Sequence, residues 1–133
     1  MTALFADTFY YLSLMHRSDE AHQRAVDFTT AFQGALLTTA WVVTELADAL
    51  ADPKHRAAFL RLYDDLRDDP RVTIVPADQQ LMDEGLDLYR RRLDKGWSLT
   101  DCISFKVMAD RGLTEALTAD HHFEQAGFKA LLK

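Results

Sequence analysis

Short apolar runs alternate along this chain with longer stretches in which apolar residues recur at helical spacing. Leu4-Phe5-Ala6, Ala35-Leu36-Leu37-Thr38, Val72-Thr73-Ile74-Val75 and Ala116-Leu117-Thr118 are too short for helices and read as buried strands, Val72–Val75 most clearly because of its β-branching. Between them the spacing predicts helices over 9–14, about 19–32, 41–51 with Thr39 or Ala40 at its start, 53–68, about 77–93 and 99–111. Gly34 breaks the second helix, Pro53 opens the fourth, Asp69-Pro70 closes it, and Gly112 stops the sixth. An apolar tail around Phe128 completes the alternation. Strand and helix in turn predict an α/β architecture with four or five parallel strands.

With 133 residues, nearly half of them apolar, the chain is long enough for one real core and too short for two, so a single domain over 1–133 is expected. There is no repeat, low-complexity segment or long linker, so separated residues meet by folding and not by domain closure. The start Met1-Thr2-Ala3-Leu4 carries no basic leader region, and no apolar run approaches the roughly 18 residues of a membrane span, which predicts a cytosolic protein with no membrane partner. The single cysteine, Cys102, excludes an internal disulfide and a thiolate zinc site, and its apolar neighbours Ile103 and Phe105 assign it to the core.

Four carboxylates, Asp7, Glu45, Asp101 and Asp120, stand at or near passages from strand or loop into helix, and together they describe a divalent-metal site. Asp7 and Asp120 follow two predicted strands, where open α/β sheets gather their active sites. Each has a structural reading as well. Asp7 and Asp120 could cap the helices that follow them. Ser98-Leu99-Thr100-Asp101 has the spacing of a capping box. Glu45 has the weakest such excuse, because in Trp41-Val42-Val43-Thr44-Glu45-Leu46-Ala47 a carboxylate turned toward its apolar neighbours needs a cation or a pairing partner. Asp48, on the same helix face, reads as surface. Net charge is −6, which counts against broad attraction to nucleic acid; four of those units belong to the named carboxylates, leaving −2 over the rest, and bound cations would reverse the local sign.

The segments Leu4-Phe5-Ala6-Asp7-Thr8, Thr44-Glu45-Leu46, Trp97-Ser98-Leu99-Thr100-Asp101-Cys102 and Leu117-Thr118-Ala119-Asp120-His121-His122-Phe123 resemble those of PIN-domain ribonucleases, in particular VapC-type toxins of toxin–antitoxin pairs. The last two are specific; the first two would be weak alone. The resemblance extends over nearly the whole length and implies a three-layer fold, with about seven helices around a parallel sheet in the order 3-2-1-4-5. It implies that Asp7, Glu45, Asp101 and Asp120 are the catalytic acids and ligands of Mg²⁺ or Mn²⁺, with Thr8 and Thr100 as hydroxyl neighbours. An RNA substrate, a cognate antitoxin that crosses the site, often with an arginine, and a homodimer are implied too.

Hard oxygen donors without cysteine suit Mg²⁺ or Mn²⁺ over zinc and lead to metal-assisted phosphodiester hydrolysis. His121 and His122 are adjacent, so on a helix they point about 100° apart and cannot both line one site; neither is assigned the chemistry, and His16, His22 and His55 receive no role. Arg90-Arg91-Arg92 with Lys95 is the one basic cluster, able to guide an RNA backbone or simply to complement a helix C-terminus. Rival classes fit less well. A haloacid-dehalogenase-like phosphatase wants Asp-x-Asp where this chain has Asp7-Thr8-Phe9, and a phospho-accepting receiver wants an acidic pair and a late lysine that are not evident. A housekeeping PIN nuclease without antitoxin, or a non-catalytic acidic pocket that docks a basic peptide, remains as the alternative.

Overall fold

The computed structural model describes residues 3–133; the Met1-Thr2 part of the leader argument lies outside them. Five strands pair in parallel: β1 (Leu4–Ala6), β2 (Leu36–Thr39), β3 (Val72–Val75), β4 (Glu115–Leu117) and β5 (Lys129–Ala130). Their order is 3-2-1-4-5, as the resemblance implied. Seven helices connect them: α1 (Thr8–Met15), α2 (His22–Ala31), α3 (Ala40–Ala49), α4 (Pro53–Asp68), α5 (Gln79–Arg91), α6 (Leu99–Asp110) and α7 (His121–Gln125). The chain steps outward through β2 and β3, then returns across the sheet to β4. Right-handed crossovers therefore put α1 to α4 on one face and α5 to α7 on the other, giving three layers. The reversal of direction falls between β1 and β4, where Phe5 pairs with Ala116 and Ala6 with Leu117.

Cover on both faces explains why the central strands are apolar runs without alternation: every residue of β1 is buried, and Ala116 and Leu117 of β4 are fully so. A chain of aromatic rings ties the sheet to the second helical layer. Phe5 lies 6.2 Å from Phe123, which meets Phe105 edge-on at 5.0 Å, and Phe105 meets Trp97 in the same way at 5.0 Å. At five residues α7 is too short to hold itself together. Full burial of Phe123, stabilising by roughly 1.5–3 kcal/mol, pins it to the sheet and with it the residues that open it.

Helix ends follow local chemistry. Thr39, Asp52, Asp78 and Ser98 each cap the helix they precede through a side-chain oxygen. Gly112, at φ 68°, ends α6 with paired bonds from Leu113 to Met108 and from Gly112 to Ala109, the role its sequence position predicted. Departures are small. The second helix starts at His22, not near Asp19, because the Asp19 carboxylate accepts from the Ala21 N–H and holds 18–21 as a turn. The third and fifth helices end at Ala49 and Arg91, short of the expected 51 and 93, and the strand before α3 lies one residue later than predicted. Helices α5 and α6 touch through Gly85: a Cβ there would lie 2.3 Å from Cγ1 of Ile103, so the close approach needs a residue without a side chain.

Candidate active site

Asp7 after β1, Glu45 in the middle of α3, Asp101 in the first turn of α6 and Asp120 just before α7 border one cleft of about 370 Å³, together with Thr8, Ser98 and His122. A larger cavity, about 860 Å³ between α5, α6 and the segment after α7, is lined by none of the four.

Asp7 stands at the N-cap of α1 but makes no capping bond. It is 6 % exposed, and Oδ2 accepts from the Thr118 hydroxyl at 3.0 Å. Burial pushes its carboxyl up to about 7; the Thr118 bond opposes the shift, and the charges of Asp101 and Glu45 add to it. Glu45 is half-buried on α3, and its Oε1 accepts from the Thr8 hydroxyl at 2.6 Å. These two carboxylates thus come with hydroxyl donors and, among the described residues, no cation partner.

Asp101 and Asp120 do serve local structure. Asp101 completes the capping box: its Oδ2 accepts from the Ser98 N–H at 3.1 Å while its own N–H donates to the Ser98 hydroxyl at 3.0 Å. Asp120 caps α7 by accepting from the His122 N–H at 2.9 Å. Capping leaves them in the cleft all the same. Burial raises the Asp101 carboxyl, the Ser98 N–H counters it, and the negative charge of Asp120 raises it further.

Nδ1 of His122 lies between the two, 3.1 Å from Oδ2 of Asp101 and 3.4 Å from Oδ1 of Asp120. Oxygen and nitrogen atoms of Asp120, His121 and His122 fall within 4.8 Å of one another. Of the adjacent histidines only His122 lines the cleft. Exposed His121 also reaches an acid, its Nδ1 lying 3.6 Å from Oδ1 of Asp120, so adjacency does not carry either ring away from Asp120 as the sequence argument expected. That argument undervalued His122, for which helical phase alone gave no reason to prefer one ring over the other. The Thr118 hydroxyl was missed as well. It accepts from the Asp120 N–H at 3.1 Å and donates to Asp7, linking two of the acids through one atom; its place in the Thr-Ala-Asp segment was the available signal. Thr8 has its expected place, whereas Thr100 is absent from the cleft lining.

The remaining assignments divide. Cys102 is fully buried, and burial with the nearby Asp101 charge pushes its thiol up, as suits an inert core residue. Asp48 is exposed. In the basic cluster, Arg91 pairs with Asp87 at 3.0 Å, Arg92 with Asp94 at 3.0 Å and Lys95 with Asp94 at 3.8 Å. No helix among the described residues is long and apolar enough to cross a membrane. As a donor set, carboxylates, hydroxyls and one imidazole without a thiolate fit Mg²⁺ or Mn²⁺.

The PIN domain family matches residues 4–129. The chain belongs to the PIN-domain family. Among solved structures, this PIN domain is similar to Mycobacterium tuberculosis VapC20, described as a sarcin–ricin loop cleaving toxin, at TM-score 0.86 and 22% identity over 95% of this chain and 96% of that one. It is also similar to FitAcB from Neisseria gonorrhoeae (TM-score 0.69, 17% identity, 96% and 95% covered) and to DNA-bound VapBC from Salmonella typhimurium (0.66, 16%, 98% and 97%). No curated relative matches it in sequence. At these identities the structural likeness speaks to the fold.

Proposed function

We propose that this PIN domain is a divalent-metal-dependent endoribonuclease and the toxin of a type II toxin–antitoxin pair. The observation that carries the reading is the convergence of Asp7, Glu45, Asp101 and Asp120, from four separate elements, on one cleft beside the β1/β4 reversal. An acid cluster assembled for stability alone would work against itself: Asp7 is held near neutrality by its own burial and its neighbours' charges, a cost that a bound cation removes. The VapC20 description supports RNA as the substrate class, and the resemblance to VapC toxins supports the antitoxin and a homodimer.

Asp7, Glu45, Asp101 and Asp120 would hold Mg²⁺ or Mn²⁺, which when bound supplies Lewis acidity that neutralises charge on the scissile phosphate. The chain's own residues fix the geometry. Thr118 orients Asp7 and steadies the Asp120 backbone, Thr8 orients Glu45, and His122 holds Asp101 and Asp120 at a set separation. Water attacks phosphorus, the P–O bond to the leaving ribose oxygen breaks, and that oxygen takes up a proton. An antitoxin arginine would find the same carboxylates complementary to its guanidinium.

The test is cleavage of a mixed cellular RNA pool with Mg²⁺ or Mn²⁺, with EDTA, and by an Asp7→Asn variant. Metal-dependent cutting that disappears in the variant supports the proposal. No cutting under any condition by a folded protein would move the reading to an acidic binding module.

A further inference from the structure

Tyr89 and Leu93 are two of the three most exposed large apolar residues among the described ones, at 47% and 84%, and they sit four positions apart where α5 runs out. Beside them is a pocket of about 260 Å³, framed also by Arg92, Lys95, Gly96 and Trp97. Trp97 is already engaged: Arg92 covers its ring at 5.1 Å, and its Nε1 donates to Gln125 at 3.0 Å. The Tyr89 ring has no such neighbour among the described aromatic pairs. Arg90, next to it, is exposed and has no acidic partner among the described residues, and Lys95 keeps the loosest of the local ion pairs.

Gly96 borders both this pocket and the carboxylate cleft. Its backbone is outside the left-handed region, and a Cβ there would meet His122 Nε2 first, at 3.9 Å. The backbone does not require a glycine at that point. With no side chain, Gly96 intrudes on neither of the two hollows it lines.

We infer that the pocket beside Tyr89 is a nucleotide subsite for single-stranded RNA: the base next to the scissile phosphate stacks on the Tyr89 ring and Leu93, while Lys95 and Arg90 hold the adjoining phosphates. The inference rests on the nuclease reading and names how that site takes its substrate. An apolar ring flanked by Arg90, unpaired among the described residues, and by Lys95, held to Asp94 only at 3.8 Å, suits a stacked base on an anionic backbone. A second copy of the chain suits it badly, since a two-fold contact centred here would bring Arg90 and Lys95 against their own equivalents.

The test measures binding, separately from cleavage, in an Asp7→Asn background with EDTA. Fluorescence anisotropy compares an oligoadenylate of about 12 nucleotides with an abasic ribose-phosphate chain of equal length. Tyr89→Ala is expected to weaken oligoadenylate binding on the order of tenfold and leave the abasic chain unchanged, with Tyr89→Phe retaining the affinity. Lys95→Ala should weaken both probes alike and lower the salt dependence by about one phosphate contact. Unchanged oligoadenylate affinity in Tyr89→Ala, equal loss on both probes, or a shift in its sedimentation relative to the background overturns the subsite. Tyr89-dependent stacking without RNA cleavage by the wild type overturns the nuclease reading and leaves the subsite standing; cleavage with Tyr89 indifferent does the reverse.

Discussion

Two aspartates close neighbouring parallel strands of this sheet, and the structure uses them differently. Asp120, after β4, spends Oδ1 on the first turn of α7; Asp7, after β1, occupies the same kind of position and caps nothing. Asp120 is partly open to solvent, whereas Asp7 is buried with a hydroxyl for company and a carboxyl raised to about 7. Position in the sequence pattern does not separate a cleft acid that also caps its helix from one that does not. The backbone N–H groups within its reach do.

The comparison breaks most visibly in catalysis. Asp7→Asn should lower metal-dependent RNA cleavage by on the order of 10²–10³-fold without unfolding the chain, as judged by circular dichroism; full activity would remove Asp7 from the chemistry. Stability comes next. Because the folded carboxyl titrates at about 7 and its ordinary value is 3.8, the folded state binds more protons between those limits. The contribution of this group to stability is therefore fully present below pH 3.8 and is lost as pH rises through 7, a loss of roughly 2–4 kcal/mol. Urea midpoints in EDTA should fall over that window for the wild type, and the Asp7→Asn curve should be flatter.

Smaller effects sharpen the contrast. Thr118→Val removes the bond that lowers the Asp7 carboxyl, so cleavage should shift to higher pH, with stability reduced by about 1–2 kcal/mol. At Asp120 the two roles separate by substitution. Asp120→Ala should cost about 1 kcal/mol through the lost cap, while Asp120→Asn, which can still cap, should keep stability and lose cleavage. Equal melting temperatures for those two variants would show that the cap matters little.

Much of this was legible because the decisive signals are local. Val72–Val75 and Pro53–Asp68 fall where β-branching and an N1 proline put them, and Ser98 with Asp101 forms the capping box that its spacing announced. β5 and α7 were not legible as elements: Lys129-Ala130 is too short for any period, and α7 depends on Phe123 reaching Phe5 and Phe105 across the chain. In the cleft the acids could be named in advance, but not their division of labour. That depends on hydroxyls from residues 37 and 111 positions away, at Thr8 for Glu45 and Thr118 for Asp7. The sequence spacing of an i,i+3 box cannot report that the same carboxylate also faces an imidazole 21 positions on.

The β1/β4 seam divides the cleft along the chain. Asp7 and Glu45 precede the exposed turn at Pro70 and Arg71; Asp101 and Asp120 follow it. A chain severed at that turn would give two inert halves, each carrying two of the four acids, able to rejoin through β3 on β2 and β4 on β1. Such a pair would be a nuclease whose activity reports the meeting of whatever two proteins its halves are fused to.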